Sequence, residues 1–172
     1  MKRWMIAAAL IALLLTGCRS VGTLETVTDT WDVPQKPEPQ ELALELPKNA
    51  AIATLSSEEA GTLYFCNGYT VAVQTLPAGD LDGTLREITG YGRENLKIME
   101  TSAGECTRYD FVWSCAGESG DQVCRGAVLS DGNYHYTMTA MTDEDSAGAL
   151  SETMQALFSS FILAKDSIEG AS

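Results

Sequence analysis

Apolar and polar residues alternate with a period of two over much of the stretch from Glu41 to Met141, the pattern of strands with one face in a core. Glu41-Leu42-Ala43-Leu44-Glu45-Leu46-Pro47 predicts a first strand, stopped at Pro47 because proline lacks a backbone donor. Ala50–Leu55 is a shorter candidate. Gly61–Cys66 and Tyr69–Thr75 predict a hairpin, since Asn67-Gly68 between them suits a tight turn. Leu96–Glu100, Thr107–Cys115, Val123–Leu129 and Asn133–Met141 continue the series, with turns marked by Ser119-Gly120 and Asp131-Gly132. Within Thr107–Cys115 the alternation sets Tyr109, Phe111 and Trp113 on one face.

Twice the period changes to that of a helix. Leu81, Leu85 and Ile88 follow Asp80, a good N-cap residue, and Gly90 or Gly92 ends the run. Gly83 weakens this helix by up to ~1 kcal/mol relative to alanine. Leu150, Met154, Leu157, Phe158 and Phe161 form one apolar stripe and predict a closing helix over about 146–162. Asp143-Glu144-Asp145 place negative charge at its start, where the helix dipole favours it.

Strands, a helix, more strands and a closing helix predict a layered α+β domain with an antiparallel sheet over residues 41–163, followed by a frayed tail, 164–172. An early strand ending in Leu46-Pro47, this element order, and the closing Leu157-Phe158-Ser159-Ser160-Phe161 resemble the PsbP-like superfamily. That superfamily includes an extrinsic photosystem subunit, a nuclear-import cofactor and bacterial lipoproteins of the LpqN kind. The resemblance implies an α/β/α sandwich with helices flanking the sheet, and an accessory, non-enzymatic role beside a membrane complex. It carries over no functional residue.

The first residues have a different pattern. Lys2 and Arg3 precede an unbroken apolar run from Trp4 to Leu15, and Leu15-Thr16-Gly17-Cys18 ends it. A basic start, a short apolar core and small exit residues form an export signal. The run falls short of the roughly 20 residues a spanning helix needs. Its ending resembles the lipobox of bacterial lipoproteins. That resemblance implies cleavage after residue 17, a diacylglycerol thioether on Cys18, and membrane lipid as the first partner. Asp after the lipidated cysteine favours inner-membrane retention in two-membrane bacteria, and Arg19 stands there instead. The outer membrane is then open to it in such a host; in a one-membrane host the protein faces outward. Residues 18–40 read as a Thr- and Pro-rich tether, with Pro34, Pro37 and Pro39 enforcing extended chain.

Charge narrows the partners. Removing 17 leader residues from 172 leaves 155, and takes away two of the 11 Lys and Arg and none of the 24 Asp and Glu. The mature chain, nine basic against 24 acidic groups, sits near −15. Nucleic acid is excluded, because phosphate binding needs clustered Lys and Arg. Electrostatic attachment to anionic lipid is disfavoured for the same reason, which suits a covalent anchor.

Cys66, Cys106, Cys115 and Cys124 remain beside the lipidated residue, an even set in an exported chain. If Ser119-Gly120 is a two-residue loop, Cys115 and Cys124 are directly opposite at a position without ladder hydrogen bonds, where side chains approach closest. Cys66 with Cys106 is then the remaining pair. Free buried thiols are the alternative; a zinc site lacks its usual Cys-x₂-Cys knuckles, and no CxxC redox motif is present. His135 is the sole histidine and lies in a strand among tyrosines, so a structural role outweighs catalysis. No nucleophile elbow or phosphate loop occurs, and helix capping accounts for the Asp80/Asp82 and Asp143–Asp145 clusters better than calcium does. No catalytic residue, metal or cofactor is assigned. Arg108, Asp110 and Arg125 share one face of the long hairpin and form a candidate recognition face. The reading that follows is a membrane-anchored extracytoplasmic binding or accessory module, served by a membrane-associated protein partner or a small ligand. A small envelope hydrolase or a cell-wall-interacting structural protein is the alternative.

Overall fold

Two long hairpins and one edge strand account for most of the sheet. The computed structural model describes residues 36–53, 61–117 and 120–164; the leader, most of the tether and the tail lie outside them. The strands are β1 (Leu42–Ala43), β2 (Ala51–Ile52), β3 (Thr62–Cys66), β4 (Tyr69–Pro77), β5 (Lys97–Ala103), β6 (Cys106–Ala116), β7 (Asp121–Ser130), β8 (Tyr134–Asp143) and β9 (Ile162–Leu163). The helices are α1 (Leu81–Thr89), α2 (Glu144–Ala147) and α3 (Ser151–Ser160), with a 3-10 turn at Arg93–Asn95.

Seven strands form one antiparallel sheet in the order β2-β3-β4-β8-β7-β6-β5. The register follows the alternation. Val71, Met138, Ala140, Ala127, Leu129 and Tyr136 reach one core with Leu157, Phe158 and Phe161 of the closing segment. On the opposite face Phe111 and Val128 meet Leu85 of α1, with Tyr109 and Trp113 packed beside them. Helices therefore cover both faces of an antiparallel sheet, giving the α/β/α sandwich. The second core is small, so α1 covers only part of its face.

Helix α1 begins where Asp80 stands as N-cap and stops where Gly90 takes the left-handed conformation, φ 78°, returning its N–H to the Arg86 carbonyl. Asp82 then accepts Arg86 Nε at 2.8 Å and the Arg93 backbone N–H at 2.7 Å, which ties the 3-10 turn to the helix.

Three elements differ from the sequence expectation. The first strand is only Leu42–Ala43 and is not in the main sheet: it pairs with β9 in a separate two-stranded ribbon. Its alternation still serves packing, since Leu42, Leu44 and Leu46 all rest on the larger core. The closing helix is not continuous over 146–162. It is α2 and α3 separated by Gly148–Leu150, and the chain is extended by Phe161. Finally, the β6–β7 turn is displaced. Gly117 N–H bonds Gly120 O at 2.7 Å, and Ala116 faces Asp121 where a Ser119-Gly120 loop would set it opposite Val123.

Candidate functional site

The displaced turn decides the cysteine geometry. Cys115 faces Gln122, and Cys124 faces Trp113. Because the slip moves pairs by two positions, the two cysteines keep a common face but become diagonal neighbours. Their Sγ atoms stand 3.3 Å apart as thiols, beyond the ~2.05 Å of a bond. Burial, reinforced by Cys115, pushes the Cys124 thiol up to about 12. The second pairing is overturned. Cys66 faces Tyr69, which faces Thr142, then Val123, then Ser114 on β6. Ser114 is eight residues along β6 from Cys106, about 25 Å at ~3.3 Å per residue. Cys66 and Cys106 are thus at opposite ends of the sheet with three strands between them.

Arg108, Asp110 and Arg125 do share a face, the one covered by α3. Arg108 grips Asp110 with Nε at 2.7 Å and Nη2 at 3.0 Å. The same guanidinium donates to Phe158 O at 2.8 Å and Phe161 O at 2.9 Å. Arg108 and Asp110 are only 14% and 12% exposed. Arg125 lies 4.3 Å over the Phe158 ring. This cluster closes the sandwich and presents no recognition surface; its chemistry is that of a buried helix C-cap.

His135 is buried, at 4% exposure. Its Nδ1 is 2.7 Å from the Thr84 hydroxyl of α1. Asp131 lies nearby but serves its own turn: Oδ1 accepts the N–H groups of Asn133 at 2.8 Å and Tyr134 at 2.7 Å. Oδ2 accepts the Tyr136 hydroxyl at 2.9 Å and Gln40 Nε2 at 3.3 Å. Burial pushes the Asp131 carboxyl up, yet these hydrogen bonds together hold it below the usual carboxylate range. Gln40 N–H also donates to the Tyr136 oxygen at 2.8 Å, and Lys36 Nζ sits 4.2 Å above the Tyr134 ring. The chain therefore joins the domain at the β7–β8 turn.

Burial is the main cause that lowers the His135 pKa from 6.5, and the Asp131 and Asp80 charges oppose it only in part. The unfolded chain accordingly takes up a proton near pH 6.5 that the folded chain refuses, so stability falls as pH drops below that value. Asp131 adds a separate loss below about pH 4, where its carboxyl finally protonates. Urea midpoints between pH 7.5 and 5 are expected to decline for the native chain and stay flat for His135→Gln. An equal decline in the variant would contradict the assignment.

Four open clefts are among those on the surface of the described residues. One of about 310 Å³ lies between Glu45–Pro47 and Thr153, Ala156 and Leu157. A second, of about 220 Å³, borders Cys66 and Gly68, and a third, of about 240 Å³, is ringed by Asp121, Asp143, Glu144 and Asp145. The fourth, about 310 Å³, is lined by Tyr91, Asn95, Trp113 and Ser114. His135 lines none of the four. Among the described residues no group of three or more His, Cys, Asp or Glu is placed to hold a metal ion, and no helix is long and apolar enough to cross a membrane. The Tyr91–Trp113 cleft was not legible as a site. Its only sequence signal is that Trp113 ends the aromatic face of β6.

No family model and no curated protein matches the chain. Solved structures do resemble it. The solution structure of cyanobacterial PsbP (CyanoP) from Synechocystis sp. PCC 6803 superposes with a TM-score of 0.53 at 12% identity, covering 71% of this chain and 86% of that one. LpqN of Mycobacterium tuberculosis, involved in cell envelope biogenesis, gives 0.45 at 13% identity over 70% and 82%. A Pseudomonas aeruginosa protein of unknown function, PA94, gives 0.42 at 12% identity over 72% and 83%. Likeness at such identity concerns the fold alone: the domain has a PsbP-like α+β fold.

Proposed function

We propose that this chain is a lipid-anchored, extracytoplasmic accessory module that binds through its sandwich domain and carries out no chemistry of its own. The observation that carries this reading is Cys18 at the end of Leu15-Thr16-Gly17-Cys18, behind a charged start and a short apolar run. Residues 1–35 lie outside the described structure, so the reading rests there on sequence. Each buried CH₂ contributes about 0.8 kcal/mol, so the two or three acyl chains of a lipoprotein hold it where a single chain would not. The PsbP-like sandwich supports the accessory role. The engagement of His135 by Thr84, away from the clefts, weighs against the hydrolase alternative.

Growth with an alkyne-tagged palmitate tests the anchor. The native chain is expected to take up label and sediment with membranes, whereas Cys18→Ala loses the label and accumulates with its leader attached. Equal labelling of the variant would refute lipidation at Cys18. A tagged native chain drawn from detergent-solubilised membranes then tests the role: one stoichiometric complex supports an accessory subunit, and empty recovery favours a soluble ligand. In an oxidising compartment, exchange with a disulfide-bearing oxidant converts Cys115 and Cys124 to a disulfide and reduces the oxidant to two thiols. The mass spectrum of the same preparation reports this as a linked peptide lacking two hydrogens.

A further inference from the structure

We infer that the cleft between Tyr91 and Trp113 binds a neutral pyranose ring, and, resting on the envelope location proposed above, that its source is an extracytoplasmic glycan. Two aromatic side chains are held ready at this cleft. Trp113 is stacked on Phe111, with ring centroids 5.7 Å apart and planes 30° from parallel. Phe111 is itself buried, with its ring against Gly126 where a Cβ would approach within 2.4 Å. The indole is therefore supported from behind while its other side borders the cleft. Tyr91 is 40% exposed, yet its backbone is pinned. Gly90 in the left-handed conformation turns the chain, and the Thr89 hydroxyl accepts the Tyr91 N–H at 3.0 Å while donating to Leu85 O at 2.7 Å. An exposed tyrosine on a fixed turn adds little to folding and offers a ready apolar platform.

Charge selects the ligand. Its lining residues, Tyr91, Asn95, Trp113 and Ser114, include no charged side chain, and the nearby ion pairs Arg86–Asp82 at 2.8 Å, Arg86–Glu94 at 3.5 Å and Arg93–Glu100 at 3.9 Å are largely solvent-exposed and line none of it. A charged ligand would find no opposite charge in this lining, and an anion would also meet an acidic protein. A neutral polyol adds hydrogen bonds without breaking any. The C–H face of a pyranose carries slightly positive hydrogens that suit the negative face of an aromatic ring. Its hydroxyl edge suits a side chain such as Asn95, whose amide both donates and accepts and is braced by Glu94 at 3.1 Å. The volume, about 310 Å³, lies at the small end of ligand sites, enough for one ring and not for an extended chain.

The cleft is also distant from the first described residues. The chain enters the domain beside Asp131 and Tyr134, at the β7–β8 turn. Trp113 faces Cys124, and six residues separate Cys124 from Ser130 at that turn, about 20 Å of strand. The cleft is thus at the far end of the sheet from Lys36 and Gln40.

The test uses the full lipidated chain in a polyoxyethylene detergent, which carries no sugar, labelled with 5-fluorotryptophan. Glucose, N-acetylglucosamine and their β-1,4 trimers are titrated to about 20 mM, near the weak end of specific affinities. The Trp113 fluorine resonance, assigned by its loss in Trp113→Phe, is expected to shift and saturate with at least one of the four sugars. Tyr91→Ala, at an exposed position that keeps the fold, should weaken that binding at least tenfold with unchanged Tm. No saturation by any sugar, unaltered affinity in Tyr91→Ala, or stronger saturation by tetramethylammonium or inorganic phosphate would each overturn the inference. Sugar binding by a chain that takes up no palmitate would remove the anchor and leave the cleft assignment standing; palmitate label without sugar binding would do the reverse.

Discussion

Arg108→Ala is expected to destabilise the domain by about 3–5 kcal/mol, the usual cost of removing one partner from a buried ion pair. The guanidinium does two things at once. It holds the Asp110 carboxylate in a bidentate grip and satisfies the Phe158 and Phe161 carbonyls where α3 ends. Truncation leaves a carboxylate nearly out of water and two helix-end carbonyls without a donor. Lysine keeps the charge without the planar fork, so Arg108→Lys should lose an intermediate amount. Arg108→Met combined with Asp110→Leu should recover part of the loss, since no unpaired charge remains while the carbonyls stay unsatisfied. Urea unfolding measures all three. A cost below about 1 kcal/mol for Arg108→Ala would mean that water replaces the guanidinium freely.

Gly126→Val should cost about 2–3 kcal/mol, in the direction opposite to strand propensity, which favours valine over glycine by up to ~1 kcal/mol. The reason is space. Gly126 faces Phe111, and a Cβ on it would meet ring atoms at 2.4 and 2.5 Å. The ring cannot retreat easily, because Leu85 and Val128 pack the same small core. Gly126→Ala with Phe111→Leu should be less destabilised than the sum of the two single changes, since the smaller side chain vacates the space the methyl needs. Moving Phe111 also moves the support of Trp113, so Gly126→Val should change the Trp113 fluorine resonance before any sugar is added. A stabilised Gly126→Val would show that propensity outweighs this contact.

Alternation and turn residues were enough to outline the sandwich. Tyr109, Phe111 and Trp113 were legible as one face because a strand has a strict period of two and the flanking turns fix its limits. Helix α1 was legible from Asp80, its apolar spacing and Gly90. The errors arose where a local signal had two structural readings. The alternation of residues 41–47 states which side chains go inward, and Leu42, Leu44 and Leu46 do so, but not which strand pairs with them; that is settled by β9, some 120 positions later. The stripe from Leu150 to Phe161 correctly marks core residues, yet Leu150, at φ −92° and ψ 1°, and the extended Phe161 bound the helix at its two ends.

The same division runs through the candidate sites. By itself the sequence determined the acidic balance, the α+β order and the inward-facing residues, because each is carried by neighbours along the chain. Only the tertiary structure decided what non-local contacts decide. A β6–β7 register two positions from the expected one made Cys115 and Cys124 diagonal neighbours with Sγ atoms 3.3 Å apart. Strand order set Cys66 and Cys106 at opposite ends of the sheet. The closing helix turned Arg108 and Asp110 from a surface pair into a buried cap. The cleft exists because Trp113 stays partly exposed at the margin of the small core and the turn after α1 brings Tyr91 to the same cleft, a meeting of residues 22 positions apart that no local pattern announces.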